Sequence, residues 1–266
     1  MNEFRIDTSV LEQFLTLHIV KDKNTLKLSV SDETQPILTN QTIFPMNIPM
    51  TNLDDVPWSV IDEIGKNGLA RTYFALGATK KDFMKNGFVA EYQIIGFDHD
   101  DLANGHSKAP ITWDMVRVYK DELCMKQNGD KSCWDTSDAR AYLNGEFFSN
   151  ISDELQQIIK PVIKLTVDVS GTGKLIESVD HIWLKSEQEQ FGRKIWSLGG
   201  EGHWYELFML EDVMYFKTDD EGEKTRHWLR SVSSSYTSSF CFVHTGGSAN
   251  SSYSRNSIGV APGFCT

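Results

Sequence analysis

Between Trp228-Leu229-Arg230 and Gly259-Val260-Ala261-Pro262-Gly263-Phe264 the chain carries twenty-eight residues of a different character, SVSSSYTSSFCFVHTGGSANSSYSRNSI. Eleven of them are Ser, and Lys, Glu, Gln, Met, Trp, Asp, Leu and Pro are all missing. Both flanks read as buried strands. Any fold of this chain must therefore hold the two ends of a polar, aromatic-studded segment in its core while the middle faces solvent. Recognition loops are built this way: Tyr gives wide amphipathic contact at small entropic cost, and Ser, Gly and Asn give adaptable hydrogen bonds. A flexible Ser-rich linker is the plain alternative. Two features oppose it. Phe240-Cys241-Phe242-Val243 in the middle reads as a short strand. The segment also leads into an apolar strand over 258–264 instead of a further domain.

The remaining composition excludes several function classes. At 266 residues the chain can hold one large domain, or one domain with a small appendage. A net charge of −11 argues against nonspecific nucleic-acid binding. No run of eighteen apolar residues is present, so no membrane insertion is expected. The first residues, Met1-Asn2-Glu3-Phe4-Arg5, lack a secretory pattern. Cys124, Cys133, Cys241 and Cys265 show no zinc spacing and read as free, mostly buried thiols. The seven His are scattered, with none in His-x-x-x-His spacing. No cofactor is implied.

Short alternating bursts over 14–20 and 26–30 predict strands, and prolines at 36, 45 and 49 predict a loop before the main domain. A small β-rich segment over 1–50 and a main domain over 51–266 follow. Asp54-Asp55-Val56-Pro57-Trp58 predicts a helix start with an Asp cap, ended by Gly65 and Gly68. Strands are expected over 72–76, 89–97 and 111–119. Helices are expected near Asp135 and from Ser152, and Ser186-Glu187-Gln188-Glu189 spells a capping box. Glycine-rich turns and short strands fill the last third. The fold class is α+β.

Ordered phrases along the chain carry a resemblance. They include Tyr92-Gln93-Ile94-Ile95-Gly96-Phe97-Asp98-His99-Asp100-Asp101-Leu102-Ala103, Ala139-Arg140-Ala141-Tyr142-Leu143-Asn144, Asp180-His181-Ile182-Trp183-Leu184-Lys185-Ser186-Glu187, Trp228-Leu229-Arg230-Ser231 and Gly259-Val260-Ala261-Pro262-Gly263-Phe264-Cys265. Over about 55–266 the chain resembles a bacterial and phage domain of formally unknown function. Members of that group are often variable (target) proteins of diversity-generating retroelements. The resemblance implies a C-type lectin-like fold of the formylglycine-generating-enzyme-like branch, with a variable display region over about 231–258. It also implies exchange at adenines of NNC-type codons, which cannot encode Lys, Glu, Gln, Met or Trp. Those five types occur 58 times in the other 238 residues and never in this segment.

The same resemblance sorts the segment. Phe240, Cys241, Val243, Gly247, Ala249, Ser257 and Gly259 match positions held fixed. Ser234, Tyr236, Ser238, Ser239, Phe242, His244, Gly246, Ser248, Asn250, Ser251, Ser252, Tyr253, Arg255 and Ile258 match positions that vary and would form the ligand surface. Strand alternation would put Phe242 and His244 on one face and Cys241 and Val243 on the other. Val232 stands where the family often has Pro after Leu-Arg-Ser, which affects the local turn.

Other chemistry is weaker. Asp98, Asp100, Asp101 and Asn104 cluster oxygen ligands, but Leu102 breaks the spacing of a calcium loop, and a hydrogen-bonded turn is the better reading. Gly171-Thr172-Gly173-Lys174 reads as a hairpin turn, not a phosphate loop. An oxidase relative would need Cys241 and Cys265 as a reactive pair; small buried residues fit them better. The seven Trp read mostly as core, with Trp196 or Trp204 open to a stacking role. The expectation is a non-enzymatic receptor-recognition protein for a macromolecular or glycan ligand on a cell surface. Its setting would be a phage tail or the bacterial exterior, with residues 1–50 docking it or joining copies. A formylglycine-generating-type oxidase relative and a structural tail or capsid decoration are the alternatives.

Overall fold

The computed structural model describes residues 49–266, Gly171 excepted, and the backbone of four earlier strands. These strands are β1 (Glu3–Asp7), β2 (Leu15–Asp22), β3 (Thr25–Asp32) and β4 (Thr42–Pro45), paired antiparallel in that order. The strands expected over 14–20 and 26–30 correspond to β2 and β3. Pro45, expected in a loop, is the last residue of β4. Pro36 and the docking or oligomerising surface expected over 1–50 lie outside the described residues.

The largest sheet combines β5 (Met50–Asn52), β6 (Phe74–Phe83), β7 (Val89–Phe97), β8 (Ile111–Met115) and β16 (Gly263–Cys265), in the order β16-β8-β7-β6-β5. Only β5 runs parallel to its neighbour; the other pairs are antiparallel. All five residues of β8 are buried, as suits a strand covered on both faces. Helix α1 (Trp58–Lys66) lays Trp58 against Trp113 and Phe264, with ring centroids 5.1 and 6.0 Å apart.

Two local expectations fail around α1. Asp54 does not cap the helix: Pro57 occupies the cap position, and the Asp54 carboxylate accepts the Lys81 N–H of β6 at 2.8 Å. Gly65 lies inside the helix against Pro110, and the helix ends at Asn67 and Gly68. The strand expected from 72 is preceded by a helical turn, α2 (Ala70–Tyr73), closed by the Phe74 N–H on the Ala70 carbonyl. β6 then runs on to Phe83.

A 3-10 turn (Trp134–Thr136) leads to α3 (Asp138–Tyr142), capped by Ser137, then a wide turn and α4 (Phe148–Asn150). Ser152 caps α5 (Asp153–Ile158) by accepting the Leu155 N–H, and Pro161 follows its end. β9 (Val162–Val167) and β10 (Leu175–Asp180) form an antiparallel hairpin; Gly171 of the expected hairpin turn lies outside the described residues. α6 (Glu187–Phe191) carries the expected capping box. β11 (Lys217–Thr218) and β12 (Lys224–Thr225) form a short ribbon. β13 (His227–Val232), β14 (Ser239–Val243) and β15 (Ala249–Tyr253) make a three-stranded antiparallel sheet with β14 in the centre.

The strand expected over 111–119 stops at Met115, whose N–H bonds the Pro262 carbonyl. The one expected over 258–264 is regular only at its end. Its first residues cross between sheets and make single bridges, Ile258 to Leu123 and Gly259 to His227. The described residues are thus α+β, with Trp113, Trp134, Trp183 and Trp228 fully buried in one main core.

Candidate ligand-binding surface

The Ser-rich segment starts from a charged root locked inside the protein. Arg230 on β13 is buried, and its guanidinium uses every donor. It donates to Glu189 at 2.5 and 2.9 Å, to the Leu184 and Leu165 carbonyls at 2.9 and 3.1 Å, and to the Glu201 carbonyl at 2.7 Å. Such planar, bidentate pairing is what Arg does and Lys cannot. Lys164 extends the network: its ammonium meets Asp100 at 2.5 Å, Tyr205 at 2.8 Å and Glu189 at 3.2 Å. The next residue, Ser231, donates its hydroxyl to Glu201 and accepts the Glu187 N–H at 2.8 Å.

Burial alone would raise both network carboxyls. For Asp100 the Lys164 charge outweighs it and holds the carboxyl well below the usual carboxylate range. Arg230 and Lys164 likewise depress Glu189. Both groups bind protons more weakly in the folded chain than in the unfolded one. Their stabilisation is therefore complete above their ordinary values near pH ~4 and drains away as pH falls below them. Asp82 and Glu201, raised by burial, act in the opposite sense. We expect unfolding free energy measured between pH 6 and pH 3 to fall on acidification in the wild type. The fall should be shallower in Lys164→Met, whose Asp100 loses its cation. Equal slopes would contradict the assignment.

Beyond the root, β14 is covered on both faces. Phe242 joins the main core, 6.1 Å from the Trp228 ring, while Cys241 and Val243 pack with Leu229 in a second cluster lined by Phe191 and Tyr215. The free face expected from strand alternation is therefore absent. Three expected surface residues are buried: Phe242 and Ser239 by the central position of β14, and Ile258 by its bridge to Leu123 in the core. They are not surface contacts.

The remaining expected residues lie at or near solvent. Tyr236 is 63% exposed and Tyr253 58%. Ser234, His244, Gly246, Ser248 and Arg255 are exposed, and Ser238, Asn250, Ser251 and Ser252 half-buried. They occupy the 234–238 loop, the tight turn after β14, edge strand β15 and the turn beyond it. The turn closes through the His244 N–H on the Ser248 carbonyl, with Gly247 at φ +87°, a conformation Gly alone takes without strain. At the exit, a Cβ on Gly259 would stand 2.8 Å from the Arg226 carbonyl, so the chains meet there without a side chain between them. Ser257, matched to a fixed position, is exposed.

The outward edge of β15 is partly occupied. The Ala249 carbonyl accepts the Trp196 indole N–H at 3.1 Å, the Ser251 N–H donates to the Asn250 side chain at 2.8 Å, and the Asn256 N–H closes on the Tyr253 carbonyl at 3.0 Å. Trp196, open to a stacking role from its sequence, stands on this surface beside Ile195, which no motif marked. The capping box located Glu187 but gave no sign that its carboxylate would turn to hold a loop eight residues on.

The other candidates resolve into structure. Asp101 pairs with Lys108 at 2.7 Å, and the Asn104 side chain accepts the His106 N–H. Among the described residues no group of three or more His, Cys, Asp or Glu is placed to hold a metal. No helix among them is long and apolar enough to cross a membrane. Cys241 and Cys265 sit in different sheets and different apolar clusters, and burial pushes both thiols up.

A family model described as a domain of unknown function, DUF6273, matches residues 114–266, well over half the chain. The chain belongs to the DUF6273 family. No curated protein and no solved structure matches it. The DUF6273 span runs from within β8 to the C-terminal residue and takes in the whole Ser-rich segment and its root apart from Asp100. It leaves out α1 and β5 to β7, which complete the largest sheet.

Proposed function

We propose that this DUF6273 protein is a non-enzymatic binding protein whose exchangeable surface lies within residues 231–258. In this reading the fold is C-type lectin-like, of the formylglycine-generating-enzyme-like branch. The segment is diversified by a retroelement, and the protein recognises a receptor from a phage tail or the bacterial exterior. One observation carries the reading: Tyr236, His244, Tyr253 and Arg255 all stand exposed on a segment whose root and exit are fixed by buried groups. Rigid aromatic anchors among small polar residues suit a macromolecular ligand.

The test changes Tyr236, His244, Tyr253 and Arg255 to Ser together and compares the variant with wild type on a glycan and cell-surface protein array. Isolated surface substitutions cost about 0.5 kcal/mol or less each, so the variant should unfold within about 2 kcal/mol of wild type. Its retention should vanish. Equal retention by both proteins would remove the reading. At the gene level, a near-copy of this segment differing at adenines is expected close by.

A further inference from the structure

The buried carboxylate of Glu187 has a task that its helix does not need. It accepts the backbone N–H groups of Ile195, Trp196 and Ser197 at 2.7, 2.9 and 2.9 Å, and the Ser197 hydroxyl at 2.8 Å. Three successive amides are thereby gathered onto one carboxylate. The gathered loop lies against the display segment at two separate points. The Trp196 carbonyl accepts the Ser234 N–H at 2.7 Å, and its indole N–H donates to the Ala249 carbonyl of β15. Yet 39% of Trp196 and 44% of Ile195 remain exposed. With its N–H already bonded, the indole has only apolar ring surface to offer a ligand.

We propose that Trp196, with Ile195 beside it, is a fixed contact of the binding surface, and that Glu187 is the residue that positions it. The proposal rests on the binding reading above and extends it. One part of the surface does not change when the segment's own side chains are exchanged, and that part is apolar. The partner class follows from the surroundings. Arg193 and Lys194 are exposed next to the pair, Arg255 lies in the segment, and residues 231–258 contain no Asp or Glu. Sugar hydroxyls are commonly held by carboxylate acceptors, which residues 193–196 and 231–258 lack. An apolar patch rimmed by acidic side chains, on a protein, is the complementary surface.

Two measurements test this. The first needs no ligand. In Glu187→Gln one oxygen is replaced by a donor group facing donors, so amide hydrogen exchange at 195–197 and at Ser234 should quicken about tenfold or more, with β7 and β8 unchanged. No change at 195–197, or equal quickening in β7 and β8, would overturn the positioning role. The second uses an array of purified bacterial surface proteins printed beside neutral oligosaccharides. Trp196→Ala and Ile195→Ser should lower protein retention about tenfold or more, and Trp196→Phe, which keeps a ring, should lower it less. If wild type binds, the four-Ser variant loses binding and Trp196→Ala keeps it, the contact role fails while the binding reading survives. If the four-Ser variant keeps binding and Trp196→Ala loses it, the reverse holds. Retention on oligosaccharides alone overturns the protein partner, and no retention by wild type overturns the contact role and the binding reading together.

Discussion

Arg230→Met is expected to lower folding stability by about 3–5 kcal/mol, because it leaves Glu189 deep in the protein with Lys164 as its one cation, beside the Ser186 N–H of the capping box. For a domain of this size that amounts to about 10 °C in melting temperature. The loss should exceed that of a well-packed neutral replacement of the whole pair. Breaking one side of a buried pair strands a charge, whereas Arg230→Met combined with Glu189→Gln removes both members and leaves Lys164 paired with Asp100. Chemical denaturation of the wild type, the two single variants and the double variant would form a cycle. A single-variant loss below about 1 kcal/mol would mean that water reaches the network and that the root is not rigid.

Phe242→Ala should cost about 3–5 kcal/mol, the usual loss for an aromatic ring removed from a packed core. Tyr236→Ala and Tyr253→Ala, at exposed positions of the same segment, should each stay within about 0.5 kcal/mol. The contrast separates residues that share one sequence character. If Phe242 is exchanged in nature, its replacements should be apolar and of similar volume, since such swaps cost least. Comparable small losses at all three positions would contradict the placement of β14 between two apolar layers.

Local grammar was legible where a side chain bonds its own neighbours. Ser152 and Ser186 announced their helices because the capping oxygen and its amide lie three residues apart, whereas the helix expected near Asp135 starts at Asp138 behind the Ser137 cap. Trp and Phe content announced the core. What stayed hidden depended on partners distant in sequence. Asp54 had the look of a cap, but Lys81 takes its carboxylate. Phe242 fits an alternating strand with one wet face, and only the layer holding Trp228 shows why it is dry. In the candidate surface, Tyr236, His244, Tyr253 and Arg255 could be picked out because the segment's composition marks it. Trp196 was open to a stacking role equally with Trp204, and the sequence did not separate the two, since the position of Trp196 comes from a carboxylate on α6 and two backbone contacts across the fold.

The partly occupied border of β15 bears on how molecules of this kind could live side by side. A chain whose outer residues are rewritten cannot rely on them as gatekeepers against sticking to its twin. Here the bonded groups are an indole and main-chain atoms, and Asn250 is the one side chain among them at a position proposed to vary. If the segment is diversified as proposed, copies held side by side would meet an edge with fewer free main-chain groups, whichever side chains it carries.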